Sequence, residues 1–142
     1  MPDRIGKLAS ICREHGVREL YSFGSRGGEI FRYVRGEIDA IGKSSSDIDI
    51  GARFHRESSP SPKQKVALAF ALEEFFGYGT VDLVLLEEAS PFLALDIIRG
   101  ELLHATDLDD QARYELFVLA RAGDLIYYEM ERRKNSLSAR EP

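Results

Sequence analysis

Apolar positions along this chain alternate between a helical and an extended rhythm. Ile5, Leu8, Ile11 and Cys12 recur at spacings of three and four and are followed by Gly16, which predicts a first helix over 3–15. Val17 to Phe23, with Leu20, Tyr21 and Phe23, favours a strand that Gly24-Ser25 breaks. The interval 26–46 carries Gly27, Gly28, Gly36, Gly42 and a serine triplet, predicting a short helical turn and then a mobile loop. Within it, Ile30 to Val34 reads either as a strand or as the end of that helix. Asp47 to Phe54 alternates with period two and predicts a second strand.

After a linker over 57–61, Ser61-Pro62 supplies an N-cap and a proline at the first helical position. The helix that follows should run to Phe76 and show a wide apolar face of Val66, Leu68, Ala69, Phe70, Leu72, Phe75 and Phe76, ended by Gly77 and Gly79. Thr80 to Leu86 has the Val/Leu richness of a buried central strand. Ser90-Pro91 repeats the cap signal for a helix to Arg99, Leu102 to His104 suggests a short edge strand, and Thr106 or Asp107 caps a long last helix to about Arg133. The order implies an α/β (α+β) fold, a small mixed sheet of three to four strands flanked by helices. A single domain over 1–133 is expected, with 134–142 as a polar, disordered tail.

Composition narrows the function classes. The 142 residues suffice for one domain, and 44% hydrophobic with 30% charged residues is a globular composition. A net charge of −5 argues against general nucleic-acid binding. Arg26, Arg32, Arg35 and Lys43 nevertheless tilt one stretch positive, either as a solvated loop or as one that faces phosphates. No run is long and apolar enough for a membrane span, and the start of the chain does not read as a secretory signal. One cysteine excludes an internal disulfide, and the cytoplasm is the expected location.

Three features concentrate chemistry. Ser46-Asp47-Ile48-Asp49-Ile50 puts two carboxylates on one face of a strand, where they repel and lose hydration unless a cation lies between them. Mg²⁺ suits them, because it takes few protein carboxylates and completes its shell with water and phosphates. Asp82 is the one charge in an apolar run, and as a buried carboxylate it would need a partner. Gly24-Ser25 ends a strand where backbone can approach a phosphate. Adjacent second and third strands would bring Asp47, Asp49 and Asp82 together around one or two ions, with Asp82 as the group that activates an attacking hydroxyl. The carboxylate run does not fit a calcium loop, the glycine segment does not fit a P-loop, and His15, His55 and His104 lack ligand spacing.

Phe23-Gly24-Ser25-Arg26, Ser46-Asp47-Ile48-Asp49-Ile50 and Val81-Asp82-Leu83-Val84 together resemble the polymerase-β-type nucleotidyltransferases in their minimal form. The segment from Ala89 through Leu103 and the Tyr-rich last helix are similar to the same proteins, so the resemblance covers about 5–130. It implies that Asp47, Asp49 and Asp82 bind Mg²⁺ and that Gly24 and Ser25 contact the phosphates of ATP. Arg26 joins them as a nucleotide-binding candidate, with Arg35 of Arg35-Gly36-Glu37 as the alternative. It further implies an adjacently encoded HEPN-type ribonuclease toxin as partner, neutralised by transfer of AMP to one of its tyrosines. Two other functions fit the residues: masking of the partner by binding alone, and nucleotidylation of an aminoglycoside-like small molecule. One departure stands out. The 21-residue interval 26–46 is about twice the family's, with an apparent insertion around 31–43.

Overall fold

A four-stranded sheet lies between two layers of helices. The computed structural model describes residues 3–43, 46–55, 59–77 and 79–140, with side-chain surroundings through 136. Ser44 and Ser45 of the serine triplet, residues 57 and 58 of the expected linker, and residues 141–142 lie outside the described residues. The elements are α1 (Arg4–Glu14), β1 (Val17–Phe23), α2 (Gly27–Val34), β2 (Ile48–Phe54), α3 (Pro62–Phe76), β3 (Val81–Leu85), α4 (Pro91–Ile98), β4 (Glu101–Ala105) and α5 (Leu108–Arg140). Strand order is β3-β2-β1-β4, with β1 antiparallel to both neighbours and β2 parallel to β3.

Alternation divides the strand residues between two cores. Leu20, Ile48, Ile50, Ala52, Leu83 and Leu85 pack under α1, α2 and α3 with Leu8, Ile30, Leu68 and Leu72. Tyr21 and the partly buried Phe23 and Val84 pack on the other face against Leu95 and Ile97 of α4 and Val118 and Ala122 of α5. Local signals set the helix ends. Asp3 Oδ1 accepts from the Gly6 amide at 3.0 Å, and Ser61 and Gln64 form a reciprocal capping box at 3.2 and 2.8 Å. Asp107 Oδ1 caps α5 by accepting from the amides of Asp109 and Asp110.

The structure decides one open alternative and corrects three expectations. Ile30 to Val34 is helix, because Ile30 and Val34, one turn apart, both reach the core. The strand Val81–Leu85 is at an edge of the sheet rather than central; its apolar richness reflects helices on both faces. The apolar face of α3 is narrower than its composition suggests, since Leu68, Leu72 and Phe76 are buried while Val66 and Phe70 are exposed. Finally, α5 does not stop near Arg133 but continues to Arg140, where a disordered tail was expected. Only its first part packs on the domain, through Gln111, Val118 and Ala122. Among the described residues, no helix is long and apolar enough to cross a membrane.

Two details of packing yield tests. Gly100 joins α4 to β4 so closely that a Cβ there would run into the Ser22 carbonyl and the Phe23 side chain. Gly100→Ala should therefore cost about 1–3 kcal/mol in urea unfolding. Glu19 is fully buried on β1, paired with Arg53 at 2.6 Å through Oε1, while Oε2 has no hydrogen-bond partner. Burial pushes its pKa up to about 7, against the opposing attraction of Arg53. A raised carboxyl pKa means the folded state holds the proton more tightly. The resulting stability is complete below the unfolded value of 4.5 and is lost as pH rises toward 7. Glu19→Gln should thus gain on wild type across that window, by on the order of 3 kcal/mol, in denaturation curves at pH 4.5 and 7.5.

Candidate active site

The end of β1 turns sharply beside the start of β2. Gly24 takes φ of 72°, a left-handed conformation that suits glycine, and opens a 3-10 turn, Gly24–Arg26, that leads into α2. Phe23 is paired with Asp49 across β1 and β2, so the turn lies against that carboxylate; a Cβ on Gly24 would collide with Asp49 Oδ2. Ser22, buried and overlooked in the sequence, fastens the corner by donating its hydroxyl to the Gly27 carbonyl at 2.8 Å. Gly24, Ser25 and Gly28 remain exposed. The Gly27 amide is taken by the Gly24 carbonyl, and the exposed Gly24, Ser25 and Gly28 leave the outer side of the turn accessible to an anion.

The parallel register of β2 and β3 sets Asp49 directly opposite Asp82. Asp47 lies just before β2, on the approach to the same end of the sheet. Burial raises the Asp49 pKa first, and the neighbouring charges of Asp82 and Asp47 raise it further. The adjacency of β2 and β3 expected from the sequence thus brings the three acidic side chains near one another, but the burial expected of Asp82 is not there. Asp82 is exposed at the sheet edge, not buried, and Asp47 is exposed as well. The strand register places Asp82 at the site without any need to compensate a buried charge.

Among the described residues, no group of three or more His, Cys, Asp or Glu is gathered closely enough to hold a metal ion. The donor set is still chemically suited to Mg²⁺. Asp49 and Asp82 are hard oxygen donors whose mutual repulsion a divalent cation would relieve, and Mg²⁺ binds through one or two carboxylates plus phosphate and water. His15, His55 and His104 lie toward the opposite end of β1 and β2. A cleft of about 560 Å³ opens at the far end of β2, among Arg53, His55, Tyr114, Phe117 and Arg121. At about 3.3 Å per residue, the five residues from Asp49 to Phe54 put it roughly 17 Å from the carboxylates.

The two candidate arginines differ in their surroundings. Arg26 is only 6% exposed. Its Nε and Nη2 donate to Glu29 Oε1 at 3.1 and 2.9 Å, Nη1 donates to the Ser46 carbonyl at 3.2 Å, and Nη2 also donates to the Gly42 carbonyl. Glu29 Oε2 accepts from the Gly42 amide at 2.7 Å. Burial alone would raise the Glu29 pKa, but that amide and Arg26 together bring it below the usual value. Arg35 is exposed at the other end of α2, over the Phe31 ring, about 12 Å along the helix from the turn. Arg4 of α1 binds the Tyr33, Ile38 and Asp39 carbonyls at 2.9, 2.7 and 2.9 Å. The segment expected to be a mobile loop is thus hydrogen-bonded from two sides.

No family model matches the sequence, and no curated protein matches it. Solved structures do match. A crystal structure of a toxin-antitoxin with AMP-PNP contains a chain that superposes with a TM-score of 0.65 at 20% identity, over 94% of this chain and 98% of that one. A chain from the complex of tri-AMPylated Shewanella oneidensis HEPN toxin with MNT antitoxin gives 0.61 at 19% identity, over 94% and 96%. A structure described as a minimal nucleotidyltransferase gives 0.50 at 26% identity, over 69% of this chain and 86% of that one. The chain has the minimal nucleotidyltransferase fold. In this nucleotidyltransferase fold the strand-end turn and the opposed carboxylates share one corner of the sheet, leaving room above the exposed Gly28.

Gly24→Ala tests that corner. The left-handed backbone and the collision with Asp49 should together cost about 1–3 kcal/mol of stability, read from thermal or urea unfolding.

Proposed function

We propose that this protein is a Mg²⁺-dependent nucleotidyltransferase that acts as an antitoxin, transferring AMP from ATP to a tyrosine of a HEPN-type toxin. The observation that carries the reading is the Asp49–Asp82 pairing beside the exposed Gly24-Ser25 turn. Amides of the turn hold the ATP phosphates, with the α-phosphate toward the carboxylates. Asp82, exposed at the edge, accepts the proton of the attacking phenol. The phenolic oxygen bonds to the α-phosphorus as the bond to the bridging oxygen breaks, and pyrophosphate leaves. Bound Mg²⁺ would neutralise phosphate charge, held chiefly by the opposed Asp49 and Asp82 with Asp47 beside them.

The neighbours named as toxin-antitoxin complexes, one with an ATP analogue and one with an AMPylated toxin, support the partner and the nucleotide. So does α5, which exposes Leu116, Leu119, Ile126, Tyr127, Tyr128 and Met130 along a helix that outruns the domain. Exposed apolar rows of this kind mark surfaces that bind protein. That same helix favours a second reading, in which binding alone masks the toxin.

Incubation with labelled ATP, Mg²⁺ and a HEPN-type partner should label the partner, and Asp49→Ala should lower the rate about 10³-fold, near 4 kcal/mol of transition-state stabilisation. Wild type and Asp49→Ala giving equally little label would overturn the proposal. Neutralisation that survives in Asp49→Ala would point to masking. On the surface of α5, Leu119→Asp with Ile126→Asp should weaken the complex at least tenfold in a titration while leaving the melting temperature within about 2 °C.

A further inference from the structure

The inserted stretch before Asp47 is fastened at two points that bear on the site. Ser46 and Gly42 are both held by Arg26, and Gly42 is held a second time by Glu29. Asp47 itself precedes the β2 ladder, so sheet pairing restrains it on one side alone: the Ile48 amide donates to the Thr80 carbonyl at 2.9 Å. On the other side the next anchor is the Ser46 carbonyl, at 3.2 Å from Arg26 Nη1. A nearly buried guanidinium must find partners for its donors, and its rigid fork can span a carboxylate and two carbonyls where an ammonium cannot.

We propose that Arg26 is a positioning residue: with Glu29 it clamps Gly42 and Ser46, so that Asp47 enters β2 at a set place beside Asp49, and it leaves the nucleotide phosphates to the backbone of the Gly24-Ser25 turn. This rests on the nucleotidyltransferase reading above for its consequence, but the clamp itself is a property of the fold. Glu29 is the second half of the device. Its two oxygens divide the work, Oε1 orienting Arg26 and Oε2 holding the Gly42 amide. Arg26 ends the 3-10 turn and stands at the N-cap of α2, and Glu29 lies three residues on in the first turn of that helix, so the turn and the helix together carry the clamp. The insertion is thereby tied to the element whose N-terminus faces the substrate. Loss of either partner frees Asp47 without touching ATP.

The test compares Arg26→Lys with the near-isosteric Glu29→Gln, each checked for folding by circular dichroism. Amide hydrogen exchange over 36–47 should speed up at least tenfold in both. In the transfer assay kcat should fall tenfold or more with the KM for ATP within twofold of wild type, and the double variant should be no worse than Arg26→Lys alone. A tenfold rise in KM for ATP in Arg26→Lys, absent from Glu29→Gln and with unchanged exchange, would make Arg26 a phosphate ligand and overturn the proposal. Should wild type transfer no nucleotide, the exchange measurement still decides: faster exchange in both variants supports the clamp, and unchanged exchange refutes it.

Discussion

Burial of Ile48, Ile50, Leu83 and Leu85 beneath α1 and α3 is the constraint on which the site depends. In a strand, what faces the core dictates what faces away, so these four side chains oblige Asp49 and Asp82 to share the opposite face. Register then makes them direct neighbours. Each buried aliphatic side chain contributes about 2 kcal/mol, some 8 kcal/mol for the four. Two carboxylates about 5 Å apart repel by about 1 kcal/mol in water-like surroundings and about 3 kcal/mol at intermediate dielectric. Hydrophobic packing wins, and the fold holds a charge arrangement that would not assemble by itself. The pKa of Asp49 is raised accordingly, by burial first and by the charges of Asp82 and Asp47 after it.

That arrangement gives the corner its chemical character. Negative charge collects at the edge of the sheet, while the neighbouring turn carries no acidic side chain. A phosphate chain carrying a divalent cation satisfies both halves at once. The arginines nearby serve the frame. Arg26 looks inward to Glu29 and the loop, and Arg4 ties the same stretch to α1 from outside. A long insertion is thermodynamically cheap to close, but it adds freedom near Asp47 that these bonds remove.

Local elements were legible because their signals are local. The Ser61-Pro62 and Ser90-Pro91 caps, the break at Gly24 and the ending at Gly77 appear in the structure at the expected residues. The mixed sheet and its flanking helices were also visible in the order of periodicities. What misled was inference about burial. Val81–Leu85 looks central by composition, yet it is an edge strand, and Asp82 is exposed. The Ile30–Val34 stretch was ambiguous because five apolar-rich residues fit either period, and only packing against the core selects helix. For α5, a polar sequence past Arg133 reads as a tail, although a helix already under way can extend through it residue by residue.

The bonds of Ser22 to Gly27 and of Gly42 to Arg26 and Glu29 left no trace in the sequence, since the partners are five to sixteen positions apart in no recognisable pattern. Although Asp47, read as part of the second strand, lies just before it, the sequence by itself determined where strand periodicity runs, where glycine must break the chain, and where the helices begin. Those are consequences of period, chirality and capping, which act within a few residues. Tertiary structure alone decided that Asp82 stands opposite Asp49, that Arg26 points inward, and that α5 leaves the domain exposed. These depend on which strand lies beside which and on what space is already filled, and neither is set until the layers have packed.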